Sequence, residues 1–288
     1  HILNRLIIGA GVCVAVIAVL IGVKLYRQDR QMDITEPFAR SMVLASDPLS
    51  AEKRFQAETL SADLCVGETS VPLNDISFSS QVKAGLFDLD HKKVLFAQNM
   101  YDQVYPASIT KIMTTLVALE HSTMDETVTF SENAVFSIER GSSHIARTTD
   151  EELTMEQCLY AIMLESANEV CLAVAEHISG SISNFVGLMN KRVKDLGLKD
   201  THFNNPNGLP DPKHYTTAYD MAVIARQAMK SSAFRKACGT RRYVCAKTNK
   251  HKQERTWQNH HQMINGWRYP KYEYKYAIGG KTGYTHVA

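Results

Sequence analysis

Nothing in the composition is extreme, and each thing lacking removes a class of protein. Glycine and proline are scarce, 15 and 8 in 288 residues, which excludes collagen-like and low-complexity chains. No Cys-x-x-Cys occurs, so neither a zinc ribbon nor a thioredoxin-type redox pair is encoded. Charge of one sign is lacking too: 32 Lys and Arg face 30 Asp and Glu, and a formal +2 gives no basis for wholesale nucleic-acid binding. A mean hydropathy of −0.22 excludes a polytopic membrane protein. What remains, 44% hydrophobic and 22% charged, describes an enzyme-sized globular body able to bury a core.

One long apolar run stands apart. Leu6 to Val23, LIIGAGVCVAVIAVLIGV, has no polar face and approaches the roughly 20 residues a spanning helix needs. Lys24, Tyr26, Arg27 and Arg30 follow it, where a cleaved signal would show a small-x-small site. An uncleaved membrane anchor is the first expectation and a cleaved export signal the second; either puts the rest of the chain outside the cytoplasm. Arg5 on one side and Lys24, Arg27 and Arg30 on the other leave orientation open. Residues 1–27 are therefore read as anchor or signal, 28–80 as a linker mixing charge, Ser, Thr and Pro, and 81–288 as the catalytic domain. The chain opens on His1 rather than Met and is expected to be a fragment of a longer protein. Of six cysteines, Cys13 falls in the apolar run and leaves an odd five. Cys158 and Cys171 lie among apolar residues of predicted helices and read as core side chains. Cys238 and Cys245 could close a loop if the compartment oxidises them.

Regular structure is expected from Val82 onward. Lys83 to Asp88 and Lys93 to Ala97, separated by Leu89-Asp90-His91-Lys92, predict a hairpin. Helical patterning runs from Ser108 to about Glu120, just after Pro106. Thr154-Met155-Glu156-Gln157 is a capping box, opening a helix to about Glu165. Further helices are predicted over 168–178 before Gly180, 183–196 before Gly197, and 217–230. Arg241 to Ala246 and Tyr276 to Tyr284 read as strands. The sum is an α+β fold: an antiparallel sheet with an inserted, packed helical region.

Three short motifs carry the chemistry. Ser-x-x-Lys occurs at Ser50–Lys53, Ser80–Lys83 and Ser108–Lys111, and alone it says almost nothing. On a helix, residues three apart share a face, so a lysine amine can reach the serine hydroxyl. Only Ser108 begins a strong amphipathic helix, where free N–H groups favour a developing anion. Ser-x-Asn occurs at Ser131–Asn133 and Ser166–Asn168. Residues two apart do not share a helix face, so a working pair needs a break between helices, which only Ser166–Asn168 has. Lys281-Thr282-Gly283 follows Gly279-Gly280, whose missing side chains let another backbone lie alongside.

In that order the three motifs resemble the signature of penicillin-recognising serine acyl-transferases. Within that group the chain is similar to the D-alanyl-D-alanine carboxypeptidase family, the low-molecular-mass penicillin-binding proteins, from about Val82 to Ala288. The resemblance is carried by Tyr105-Pro106-Ala107-Ser108-Ile109-Thr110-Lys111-Ile112-Met113-Thr114, by Asn205-Pro206-Asn207-Gly208-Leu209-Pro210 running on to His214, by Thr217-Ala218-Tyr219-Asp220-Met221-Ala222, and by Gly280-Lys281-Thr282-Gly283-Tyr284-Thr285. It implies a β-lactamase/transpeptidase-like fold, truncated here after the Lys-Thr-Gly strand. It implies that Ser108 is the nucleophile and Lys111 its general base, neutral because burial and the charge of Lys281 lower its pKa. Ser166 would relay a proton to the leaving amine, and Asn168 would hold Lys111 and the substrate amide. Lys281 and Thr282, with Gly283 and Tyr284 beside them, would take the terminal carboxylate. The oxyanion would sit between the N–H groups of Ser108 and Tyr284. The implied partners are a peptidoglycan stem pentapeptide, β-lactams as inhibitors, and the membrane through the N-terminal segment; no nucleic acid, cofactor or metal is called for.

Three other readings compete. A class A β-lactamase shares the motifs but needs a glutamate on a loop for deacylation, and Thr201-His202-Phe203-Asn204-Asn205-Pro206 has no carboxylate. A metallopeptidase could use His251-Lys252-Gln253-Glu254 with His260-His261 nearby, but no motif provides a fixed third ligand, and a solvated face explains the segment better. The third is a membrane-bound penicillin-binding sensor that acylates without turnover.

Overall fold

A computed structural model describes residues 70–72, 78–139 and 141–288. The apolar run at 6–23 and most of the expected linker lie outside the described residues. Among the described residues no helix is long and apolar enough to cross a membrane.

The predicted hairpin is present. Strand β2 (Ala84–Asp88) pairs antiparallel with β3 (Lys93–Gln98), and β1 (Ser70–Val71) adds to the other edge of β3. The turn closes because the Asp88 carboxylate accepts from the His91 N–H at 3.0 Å while Lys92 takes a left-handed φ of 52°.

Local signals set most helix limits. A 3-10 turn (Ala107–Thr110) leads into α1 (Lys111–His121), so Ser108 sits one turn ahead of the α-helix it was expected to begin. Ser131 caps the short α2 (Glu132–Phe136) by accepting from the Ala134 N–H. The Thr154–Gln157 capping box opens α3 (Met155–Tyr160) with both reciprocal bonds made, and α3 continues as one π turn over Ala161–Glu165. Helix α4 (Asn168–Ser179) stops at Gly180, whose φ of 74° suits a residue without a Cβ. In α5 (Ile182–Asp195) Phe185, Met189 and Val193 recur every fourth residue on the buried face. Helices α6 (Ala218–Ala228) and α7 (Ser232–Gly239) follow, capped by Thr217 and Ser231.

The core is built round α4. Val170 to Ala175 are all buried, so α4 is enclosed on every side and α1, α2 and α5 pack against it. Cys158 and Cys171 belong to this core, as their apolar settings indicated.

Two expectations change, and one open reading is resolved. Among the described residues the strands make three small antiparallel sheets rather than one: β1–β3–β2, β4 (Thr127–Thr129) with β5 (Glu152–Thr154), and β6 (Arg242–Cys245) with β7 (Arg255–Gln258). Tyr276 to Tyr284 is not a strand, because no described segment lies alongside to complete a ladder. Packing holds it instead: a Cβ on Gly279 would meet the Cys238 sulfur at 2.4 Å, and one on Gly280 the His261 ring at 2.4 Å. Cys238 and Cys245 are both unpaired and buried in the core, so no disulfide closes that loop.

Candidate active site

Ser108, Ser166 and Asn168 line one cleft of about 310 Å³, facing Thr282, Gly283 and Tyr284. The other serines of the candidate motifs do not reach it. Ser131 is used as a helix cap and as a partner of the Glu176 carboxylate. Ser80 is exposed, and its carbonyl accepts from the Asn99 amide. Ser50 lies outside the described residues.

The break between α3 and α4 presents the Ser-x-Asn pair as expected. Ser166 adopts a left-handed conformation, φ 58° and ψ 33°, and Ala167 is extended before α4 begins at Asn168. A serine held there costs about 1–3 kcal/mol, which the packed helices on either side must offset.

Lys111 is completely buried under the cleft. Its Nζ lies 3.0 Å from Ser108 Oγ, 2.7 Å from Asn168 Oδ1 and 2.6 Å from the Asn207 carbonyl oxygen. The count of partners matters. Asn168 Oδ1 and the Asn207 carbonyl can only accept, and a neutral amine has two N–H bonds for them and one lone pair over. In the neutral amine that lone pair is left for the Ser108 hydroxyl, the geometry a base needs to take its proton. Burial pushes the Lys111 pKa down, against the opposing pull of Cys171 and Glu169.

Lys281 reaches the cleft from behind Ser166. Its Nζ donates to Ser166 Oγ at 3.1 Å and to its neighbour's carbonyl, Thr282 O, at 2.7 Å. Burial, and then the charge of Lys111, lower its pKa to about 7. Dehydration is thus the main cause for both amines, and the repulsion between Lys111 and Lys281, two cations across the same site, works in the same direction. Lys281 also points at a hydroxyl rather than standing open in the cleft.

The segment 205–210 forms the floor, a part that motif reading left without a role. Thr114 donates to the Pro206 carbonyl at 2.6 Å, next to the Asn207 carbonyl that Lys111 uses. Gly208 has φ 86°, and a Cβ on it would lie 1.9 Å from the Ala107 carbonyl oxygen, beside Ser108. Gly283 closes the opposite side: its Cβ would stand 3.1 Å from the backbone nitrogens of Ser108 and Ile109. Glycine at 208 and 283 therefore brings floor and wall onto the turn that carries Ser108. His214 steadies the same turn, its Nδ1 accepting from the Asn204 N–H at 3.0 Å, which leaves Nε2–H to donate to Thr110 Oγ1 at 2.8 Å.

The histidines of the metallopeptidase reading are otherwise engaged. His251 contacts Glu151 at 3.4 Å and Thr148 at 3.3 Å, Glu254 is exposed, and His260 pairs with Glu165 at 3.1 Å. Among the described residues no three His, Cys, Asp or Glu side chains gather into a metal-sized group.

A serine hydroxyl aimed at a dehydrated lysine, with a second lysine behind a second serine, defines the class of serine acyl-transferases. The chain belongs to the D-alanyl-D-alanine carboxypeptidase family, peptidase S11, whose pattern it matches over residues 70–288. It is 39% identical over 211 residues to D-alanyl-D-alanine carboxypeptidase DacF of Bacillus subtilis, an alignment covering 71% of this chain and 51% of that protein. It is 35% identical over 182 residues to DacA of Haemophilus influenzae, covering 59% and 46%. The chain spans about half the length of these curated relatives. Among solved structures, a variant of the Streptomyces K15 DD-transpeptidase superposes with a TM-score of 0.66 at 28% identity, over 74% of this chain and 84% of that one. A penicillin-binding protein homologue from Mycobacterium tuberculosis superposes with a TM-score of 0.64 at 27% identity, over 76% and 78%. The fold is therefore the α+β transpeptidase-like one that the motif order implied.

Proposed function

We propose that this protein is a serine D-Ala-D-Ala carboxypeptidase that removes the terminal D-alanine from peptidoglycan pentapeptide and is inhibited by β-lactams. The observation that carries the reading is the completely buried Lys111 amine set 3.0 Å from Ser108 Oγ.

Lys111 Nζ takes the hydroxyl proton as Ser108 Oγ bonds to the carbonyl carbon between the two D-alanines. The oxyanion is held by the N–H groups of Ser108 and Tyr284, close enough to act together because Gly283 has no side chain. As the C–N bond breaks, Ser166 passes its proton to the leaving amine and recovers one from Lys281, 3.1 Å away. Asn168 positions Lys111 and the substrate amide. The terminal carboxylate lies against Thr282, with Lys281 supplying positive charge from behind Ser166. Water then attacks the ester, losing a proton through Ser166 to Lys281 while Lys111 returns its proton to Ser108 Oγ, which releases the tetrapeptide and restores all three groups. A β-lactam enters the same sequence, but its amine stays tethered after ring opening and Ser108 remains acylated.

The enzyme works on the outer side of a bacterial membrane, held there by the apolar run at residues 6–23 or exported by it. Incubating the protein with a D-Ala-D-Ala pentapeptide tests the reading. Release of one D-alanine per peptide, blocked by penicillin and by Ser108→Ala, supports it. Penicillin labelling without D-alanine release identifies a sensor instead, and rapid penicillin hydrolysis identifies a β-lactamase.

A further inference from the structure

Glu169 follows Asn168 on the first turn of α4, yet no step above uses it. It is completely buried. One carboxylate oxygen, Oε1, accepts from the backbone N–H groups of Ile145 at 2.8 Å and Ala146 at 3.2 Å. The other, Oε2, is buried with no hydrogen-bond partner. Burying a carboxyl group with one oxygen unpaired is costly, and a fold that keeps it there uses the other oxygen for something. The stretch it grips leads out of the cleft: Ser142 and Ser143 line the pocket opposite Thr282. A third bond joins the same two elements, from the Asn168 N–H to the Ser143 carbonyl at 2.9 Å.

We propose that Glu169 is a positioning residue that clamps the 142–146 wall onto the first turn of α4, so that wall and Ser166–Asn168 meet the substrate as one rigid unit. The clamp shapes the cleft without touching the reacting atoms. Lys111 reaches Ser108, Asn168 and Asn207, and residues 142–146 make none of these three contacts themselves; of these residues they bond only to the Asn168 backbone. Loss of the clamp should therefore weaken substrate capture much more than the chemical step. The neighbouring buried groups that sense Glu169 are Lys111, Cys158 and Cys171. Burial also raises the pKa of Glu169 to about 7, against the backbone N–H groups that lower it. The clamp does not need the charge, because a neutral carboxyl or amide oxygen accepts the same two N–H bonds.

This inference rests on the carboxypeptidase reading for its kinetic arm and is independent of it in its exchange arm. Glu169→Ala removes the acceptor, Glu169→Gln keeps an oxygen in place, and Glu169→Asp withdraws it by one methylene. Glu169→Ala should raise KM for a D-Ala-D-Ala peptide about 10- to 100-fold, the effect of leaving buried N–H groups unpaired, while kcat changes less than about threefold. Glu169→Gln should restore KM to within about threefold of wild type. Hydrogen–deuterium exchange on the unliganded protein should show residues 142–146 losing protection in Glu169→Ala and Glu169→Asp but not in Glu169→Gln, whatever the activity. If Glu169→Ala does not fold, Glu169→Asp against Glu169→Gln makes the same comparison. A fall in kcat with KM unchanged, failure of Glu169→Gln to rescue, or unchanged exchange at 142–146 in the Asp and Ala variants would overturn the proposal. Absence of any turnover in wild type, with the exchange pattern as expected, would count against the carboxypeptidase reading and leave the clamp standing.

Discussion

Replacing Lys111 by arginine separates a base from a buried cation. The guanidinium is permanently positive and can donate to Asn168 Oδ1 and the Asn207 carbonyl, but it has no lone pair to offer Ser108 at accessible pH. General-base assistance contributes about 10²–10⁴-fold, so acylation of Lys111→Arg by a fluorescent penicillin should slow by that factor, with the binding step less affected. Wild type should behave differently with pH. Burial favours the neutral amine, so its pKa lies below the ordinary 10.5, and the acylation rate should climb as pH rises through that lowered value and then level off. Lys111→Ala is the structural control. It leaves two buried carbonyl oxygens without donors, a loss of about 2–4 kcal/mol in stability, whereas Lys111→Arg keeps donors for both. Time courses of labelling on gels, run from about pH 5 to about pH 10, read both effects. Near-wild-type acylation by Lys111→Arg, or a wild-type rate flat across that range, would refute the assignment of the base.

Three further outcomes follow from the same contacts. Gly208→Ala puts a methyl 1.9 Å from the Ala107 carbonyl in a left-handed backbone; neither backbone atom can step aside cheaply, so melting should fall by several degrees and penicillin labelling of Ser108 should slow at least about tenfold. Retention of both would show that the floor is not fixed at that point. Amidating the peptide's terminal carboxylate should lower kcat/KM about ten- to a hundredfold in wild type but little in Lys281→Ala; because the Lys281 charge is lost as pH rises through about 7, the preference for the free acid should fade above that pH. Equal rates for acid and amide at pH 6 would remove Lys281 from carboxylate recognition. For His214 the folded value is about 4 and the ordinary one 6.5, so the unfolded chain takes the proton first; stability should drop as pH falls from 6.5 towards 4, and His214→Asn should flatten that slope in denaturant titrations. An unchanged slope would mean that His214 is not held neutral.

Local chemistry was readable where a few consecutive residues complete a structure among themselves. The Thr154–Gln157 box closes both of its bonds within four residues, and Gly180 ends α4 through its own φ of 74°. The β4–β5 pair was not anticipated, because each strand has three residues and neither exists without the other, Thr127 lying opposite Thr154 across the intervening chain. Tyr276 to Tyr284 failed for the complementary reason. Its side chains suit a strand, but a strand is made by a neighbour, and packing against Cys238 and His261 took that place.

The site divides the same way. The order of three short motifs, through the family they resemble, pointed to Ser108, Lys111, Ser166, Asn168 and Lys281, whose functional groups suit a nucleophile, its base and a proton relay. That Lys111 faces Ser108 was legible from their spacing of three, whereas the place of Lys281 behind Ser166 was decided only by folding. The carbonyl of Asn207 was invisible beforehand, since every residue has one and only its position beside Lys111 gives it a task. So were the close approaches at Gly208 and Gly283, and the hold of Glu169 on residues 145 and 146. Side-chain chemistry is written residue by residue, whereas dehydration, mutual repulsion and contact between distant backbones exist only once the chain has closed on itself.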